Sequence, residues 1–143
     1  MPQELTVSHA TVEDRDAVVD LWRACGLVAT YNPPEADFEF ARDKPASDVL
    51  VGRTGEIIVD SVLVGHDGHR GWIYYVAVSP AHQGSGFGAE IVAAAEQWLT
   101  DRAVRKVQLM VRSTNTKVLG FYDRLGYERS EVTVMQRWLE TGH

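Results

Sequence analysis

With 143 residues, 45% of them hydrophobic and 24% charged, the chain fits one globular domain able to bury about two-thirds of its unfolded surface. Fourteen basic against twenty acidic side chains leave a net charge of −6, which argues mildly against nucleic acid as the main partner and favours cationic substrates or none in particular. A lone cysteine, Cys25, excludes an internal disulfide, and neither a signal peptide nor an apolar run of ~20 residues is visible, so a soluble cytoplasmic protein without membrane contact is expected.

"LTVSHA" alternates weakly and predicts a first strand. Thr11 and Asp14 have capping-box spacing, and Val18, Leu21, Trp22 and Cys25 form one apolar helical stripe that stops at Gly26. Pro34 opens a short second helix carrying Phe38 and Ala41 or Arg42. Three antiparallel strands follow, over 48–53, 56–66 and 72–79, with turn residues between them; the third is apolar almost throughout, as a strand buried on both faces would be. Pro80 ends it. A helix runs from about Gly86 to Asp101 on Ile91, Ala94, Ala95, Trp98 and Leu99. "KVQLMVR" predicts another strand, "STNTKVLGFYDRLG" a capped helix closed by Gly126, and "SEVTVMQRWLE" a final strand. The order β-α-α-β-β-β-α-β-α-β predicts a single α/β (α+β) domain over residues 1–143. Its sheet is mixed but mostly antiparallel, flanked by about four helices.

The chemistry centres on "HQGSGFGAEI". Gly84, Gly86 and Ala89 satisfy G-x-G-x-x-A, the loose dinucleotide fingerprint. That fingerprint belongs after a first strand with an acidic residue ~20 positions on; here the loop follows the fourth strand and the next strand ends at Arg112. No Gly-Lys-Ser/Thr follows either. NAD is therefore not the expected ligand. Backbone N–H groups of residues 84–88 and the positive end of the helix dipole can still take a diphosphate. The alternative is a glycine-rich strand-to-helix turn that binds nothing.

The segment "VAVSPAHQGSGFGAEI", with Gln83-Gly84-Ser85-Gly86-Phe87-Gly88 at its centre, resembles the acetyl-CoA motif of the GNAT (GCN5-related) N-acetyltransferases. Asn115, Tyr122 and Leu125-Gly126-Tyr127 match the second signature of that family. "HDGHRGWIYYVAV" with "VLGFYDRLGYE" is similar to the small stand-alone bacterial YpeA-type acetyltransferases. The resemblance implies acetyl-CoA as co-substrate, no metal, and direct attack by a primary amine, on a small molecule or a peptide, in a ternary complex. It assigns the cofactor to Gln83, Gly84, Ser85, Gly86, Phe87 and Gly88, with Val76, Ala77 and Val78 pairing their backbone to the pantetheine arm. Tyr122 becomes the general acid toward the departing thiolate, and Asn115 either caps its helix or bonds the pantetheine. The same likeness carries homodimerisation as an expectation.

The general base is not legible. Where some ribosomal-protein N-terminal acetyltransferases carry Glu, this chain has Met110. Asp67, His69, Tyr74 and a water relay are the alternatives, with Asp67 equally readable as a turn residue. Trp22, Tyr31 and Asn32 are expected at the acceptor pocket, Trp22 also as core; Lys117 is a candidate for a CoA phosphate. Arg102, Arg105 and Lys106 read as solvated surface. Cys25 reads as a small apolar filler, because no histidine pairs with it in any nucleophilic pattern. The missing base carboxylate puts a ribosomal-protein role in doubt and gives weight to an inactive acyl-CoA-binding sensor or partner domain; a protein N-terminal acetyltransferase is the other competing function.

Overall fold

The computed structural model describes residues 4–142, in two compact units that divide between Met110 and Val111. The first unit holds all five strands and three helices: β1 (Thr6–His9), α1 (Arg15–Ala24), α2 (Pro34–Ala41), β2 (Ser47–Thr54), β3 (Ile57–His66), β4 (Gly71–Val78), α3 (Phe87–Asp101) and β5 (Val107–Gln108). The second holds α4 (Thr116–Arg124) and the chain beyond it. Among the described residues no helix is long and apolar enough to cross a membrane.

The sheet runs in sequence order β1-β2-β3-β4-β5, antiparallel except for the parallel β4–β5 pair. Local chemistry starts the first helical segment where expected: the Thr11 amide donates to Asp14 Oδ2 at 2.9 Å. Strand alternation then sorts the helices onto two faces. Odd residues of β3 look toward α1 and α2, since Trp22 Nε1 donates to Ser61 Oγ at 3.0 Å and Leu63 packs on the cluster holding Trp22 and Phe38. Even residues look toward α3, where the His66 ring lies 6.4 Å from Trp98. Full burial of Trp22, Phe38, Val49, Val51, Val59, Val62, Val64 and Ile91 forms the two apolar layers on either side of the sheet. At about 25 cal/mol per Å² of apolar surface, these layers are the main favourable term in folding.

Three expectations need correcting. The strand expected over "KVQLMVR" is only Val107–Gln108. No strand forms over 130–140 among the described residues, although Val132, Val134, Met135 and Leu139 make the segment apolar enough to suggest one; they stay exposed, because apolar content alone supplies no partner backbone. The expected burial of the third antiparallel strand on both faces also fails midway: in β4, Tyr74 is 41% exposed and Tyr75 and Val76 are half-buried.

Candidate active site

β4 is where the sheet opens. β5 pairs with it only at Gly71↔Val107 and Trp72↔Gln108, so from Ile73 onward that edge has no neighbouring strand in the sheet. On its other edge, Leu63 faces Tyr74 but Ser61 faces Ala77, three residues of β4 against two of β3. This is a β-bulge, and Tyr75 sits in it with φ +53, a conformation that costs a non-glycine residue about 1–3 kcal/mol. The open edge carries Val76, Ala77 and Val78, whose backbone groups on that side need partners. Val78 already has its carbonyl occupied, by Gln83 Nε2 and by the Cys25 thiol, each at 3.2 Å. Cys25 is thus half-buried beside the core, and burial pushes its thiol pKa up.

A short helical turn at Pro80–His82 leads from β4 into the glycine loop. Gln83 folds back on the strand as described, and Ser85 Oγ donates to the His82 carbonyl, so the loop is internally braced. Gly84 (φ +83) and Gly86 (φ +86) take left-handed backbone, and a Cβ at either would meet nothing within 4 Å. Glycine is therefore demanded by conformation, and the space above the loop is open. Gly86 is the N-cap of α3, whose first N–H groups, from Phe87 and Gly88 on, have no acceptor within the helix. An open cradle of backbone donors next to an unpaired strand edge fits a diphosphate joined to an amide-rich arm, as in CoA.

The structure separates two of the candidate bases, Asp67 and His69, from the glycine loop, while the third, Tyr74, lies on β4 itself. Asp67 and His69 lie in the β3–β4 hairpin at the Gly71 end of β4, while the loop follows its Val78 end, roughly 23 Å away along the strand. Asp67 Oδ1 accepts the His69 and Arg70 amides at 2.9 and 2.8 Å, and Oδ2 accepts Trp72 Nε1 at 3.3 Å. These bonds, the Arg70 amide first, hold its carboxyl below the usual range and suit a turn residue. His69 is exposed. Burial raises the Tyr74 phenol, and the Asp67 charge adds to it.

Two carboxylates that sequence reasoning missed lie closer. Asp37 of α2 accepts the Tyr75 hydroxyl on Oδ2 at 2.7 Å, directly at the bulge. The Tyr75 ring stacks on Trp22 at 4.0 Å and 10°, so Trp22 is core and also the platform for the bulge residue. Burial, then the Asp37 bond and charge, push the Tyr75 phenol well above its ordinary value. Asp60 of β3 faces α3, fully buried, and neither carboxyl oxygen has a hydrogen-bond partner among the described residues. Burial lifts its pKa to about 7, with the Glu90 charge adding and the nearby Gly52 amide opposing. Gly52 is there because a Cβ would stand 2.0 Å from Asp60 Oδ1. An acid inside the apolar run "IIVDSVLV" was the available signal for Asp60; Asp37 left none. Of the expected acceptor-pocket residues, Tyr31 is 53% exposed and Asn32 half-buried in the α1–α2 link.

In the second unit, Asn115 is the N-cap of α4, its Oδ1 accepting from the Val118 amide at 3.2 Å. Tyr122 is buried on that helix, its ring 4.9 Å from Phe121 and 5.4 Å from Tyr127. Burial pushes its phenol up to about 12, so it is protonated throughout the neutral range. Lys117 is exposed on the first turn of α4. Among the described residues no group of His, Cys, Asp and Glu could hold a metal.

Comparison with known proteins gives the family and the fold. The sequence profile of the Acetyltransferase (GNAT) family matches residues 8–127. The acetyltransferase ECA0875 of Pectobacterium atrosepticum is 37% identical over 129 residues, 90% of this chain and 92% of its own. Among solved structures, the aminoglycoside N-acetyltransferase AAC(6')-Iy in complex with CoA superposes with a TM-score of 0.82 at 13% identity, covering 97% of both chains. The ribosomal-protein-S18-alanine N-acetyltransferase of Escherichia coli does so at 0.75 and 17%, covering 89% of this chain and 79% of that one. At such identities the two structures speak for the fold alone, whereas the profile and the Pectobacterium relative speak for the sequence: the chain belongs to the GNAT family of N-acetyltransferases.

Proposed function

We propose that the chain transfers the acetyl group of acetyl-CoA to a primary amine by direct attack in a ternary complex. One observation carries this reading: β4 loses its β5 neighbour after Trp72, bulges at Tyr75, and runs its open edge into a braced glycine loop at the start of α3. Backbone N–H groups from Gly84 to Gly88 would hold the diphosphate, with Gln83 and Ser85 bracing the loop and Phe87 anchoring α3 in the core. Val76, Ala77 and Val78 would pair with the pantetheine amides, and an N–H of Val76 or Ala77 would polarise the acetyl carbonyl. Acetyl-CoA supplies an activated thioester; the new C–N bond forms as the C–S bond breaks, the amine gives up one proton to water, and solvent returns a proton to the group that protonates the thiolate. Tyr122 is the proposed proton donor to the sulfur, and Asn115 the proposed second contact to the arm beside its capping role. The Asn115 cap leaves its side-chain amide N–H groups as donors.

A second reading, a CoA-binding sensor without turnover, is favoured by the engagement of the Asp67 carboxyl in its own turn and by the weak acidity of Tyr122. Thermal unfolding with acetyl-CoA, CoA and NAD tests the ligand first. At ~100 times its dissociation constant a ligand stabilises by about 2.7 kcal/mol, several degrees for a chain of this size. Both CoA species shift the midpoint in the proposed reading and NAD does not; a shift with NAD alone overturns it. Thiol release across an amine panel then separates enzyme from sensor.

A further inference from the structure

Resting on that reading, we infer that Asp37 is the anchor for a second, non-reacting cationic group on the acceptor, so that the preferred substrate carries at least two amines. Three carboxylates line α2. Glu35 is paired with Arg23 at 3.1 Å and Glu39 with Arg15 at 2.7 Å. Asp37, between them, has no cation within ion-pair distance among the described residues; its side-chain partner is the neutral Tyr75 hydroxyl at 2.7 Å. A half-buried carboxylate that its neighbours leave unneutralised is a site for an incoming cation, because the charge has already lost part of its water.

Its position is fixed with unusual care. Tyr75 holds Oδ2 from a backbone conformation strained at φ +53. The Tyr75 ring lies flat against Trp22, and Trp22 is locked by its bond to Ser61. The chain Ser61–Trp22–Tyr75–Asp37 therefore ties one carboxylate to the bulge from which Val76 and Ala77 continue. Asp37 binds and does not react; Tyr75 is its positioning residue. The net charge of −6 suits an acceptor that is positive overall.

The test compares 1,4-diaminobutane with butylamine as acceptors for the wild-type protein, Asp37→Asn and Tyr75→Phe, with acetyl-CoA saturating. The wild type prefers the diamine. Asp37→Asn raises KM for the diamine about tenfold, the scale of a charge-assisted contact, with kcat and the butylamine KM nearly unchanged. Tyr75→Phe keeps the ring stack and loses part of the same selectivity, which a merely structural defect would not do. Unaltered selectivity in a folded Asp37→Asn overturns the anchor. An equal fall in kcat with both amines overturns it too, and makes Asp37 a base. Absence of turnover by the wild type with any amine, the CoA-induced shift being intact, overturns the enzymatic reading and the anchor with it.

Discussion

Asp60 and Tyr122 show how burial, as the largest cause, sets proton affinity. Asp60 has a folded pKa of about 7 against an unfolded 3.8, so the folded chain binds that proton more tightly. Stability from this group is greatest below about pH 4 and declines as pH rises toward 7, by about 4 kcal/mol across roughly three pH units. We predict that Asp60→Asn, which stays neutral, melts several degrees higher than the wild type at pH 8 and lacks that decline. Melting curves collected from pH 5 to 8 decide it: parallel curves for the two proteins would mean Asp60 is ionised or solvated in the folded state. Tyr122, with a phenol at about 12, keeps its proton at every pH where the protein works. Tyr122→Phe should lower kcat about a hundredfold, the lower end of the range for a lost proton donor, while acetyl-CoA affinity holds. Weakened binding with normal kcat would make it a packing residue. The wild-type kcat should also show no loss of activity from phenol ionisation between pH 6 and 9.

At the scale of the element, β4 and its following loop behave as one device. The strand loses β5 after Trp72 and bulges against β3 at Tyr75, and the loop then needs two left-handed residues to enter α3. Gly86→Val meets no atom within 4 Å at its Cβ, so its cost is conformational, about 1–2 kcal/mol. The variant should fold with a midpoint a few degrees lower and bind acetyl-CoA at least tenfold more weakly, since its side chain enters the space proposed for the phosphates. Calorimetric titration reads this, and unchanged affinity in the folded variant removes the loop from the site. Gly52 illustrates a different demand: it yields its Cβ position to Asp60, so any other residue there would force the carboxyl to move.

Across the whole molecule the charge balance acts on both substrates, with opposite signs. A chain at −6 attracts a cationic acceptor and repels an anionic cofactor, and salt screens both beyond about 10 Å. We predict that raising ionic strength from roughly 0.05 to 0.3 M lowers kcat/KM for a dicationic acceptor at least twofold, with no loss in acetyl-CoA affinity. A flat response would leave recognition to local contacts.

What the sequence determined by itself was set by short-range chemistry. The Thr11–Asp14 cap, the Asn115 cap, the left-handed glycines at 84 and 86, and the apolar stripes of α1 and α3 all follow from residues a few positions apart. The glycine loop and the helix bearing Asn115 and Tyr122 were legible for that reason, and so was the family. Only the tertiary structure decided matters that join distant residues. Asp37 and Tyr75 are 38 positions apart, and their bond needs a bulge that no propensity announces. Asp60 reads as a charge interrupting a strand until the sheet and α3 close over it. The segment 130–140 is rich in apolar and β-branched residues, yet a strand exists only where another backbone receives its hydrogen bonds, and that is a property of the assembled sheet.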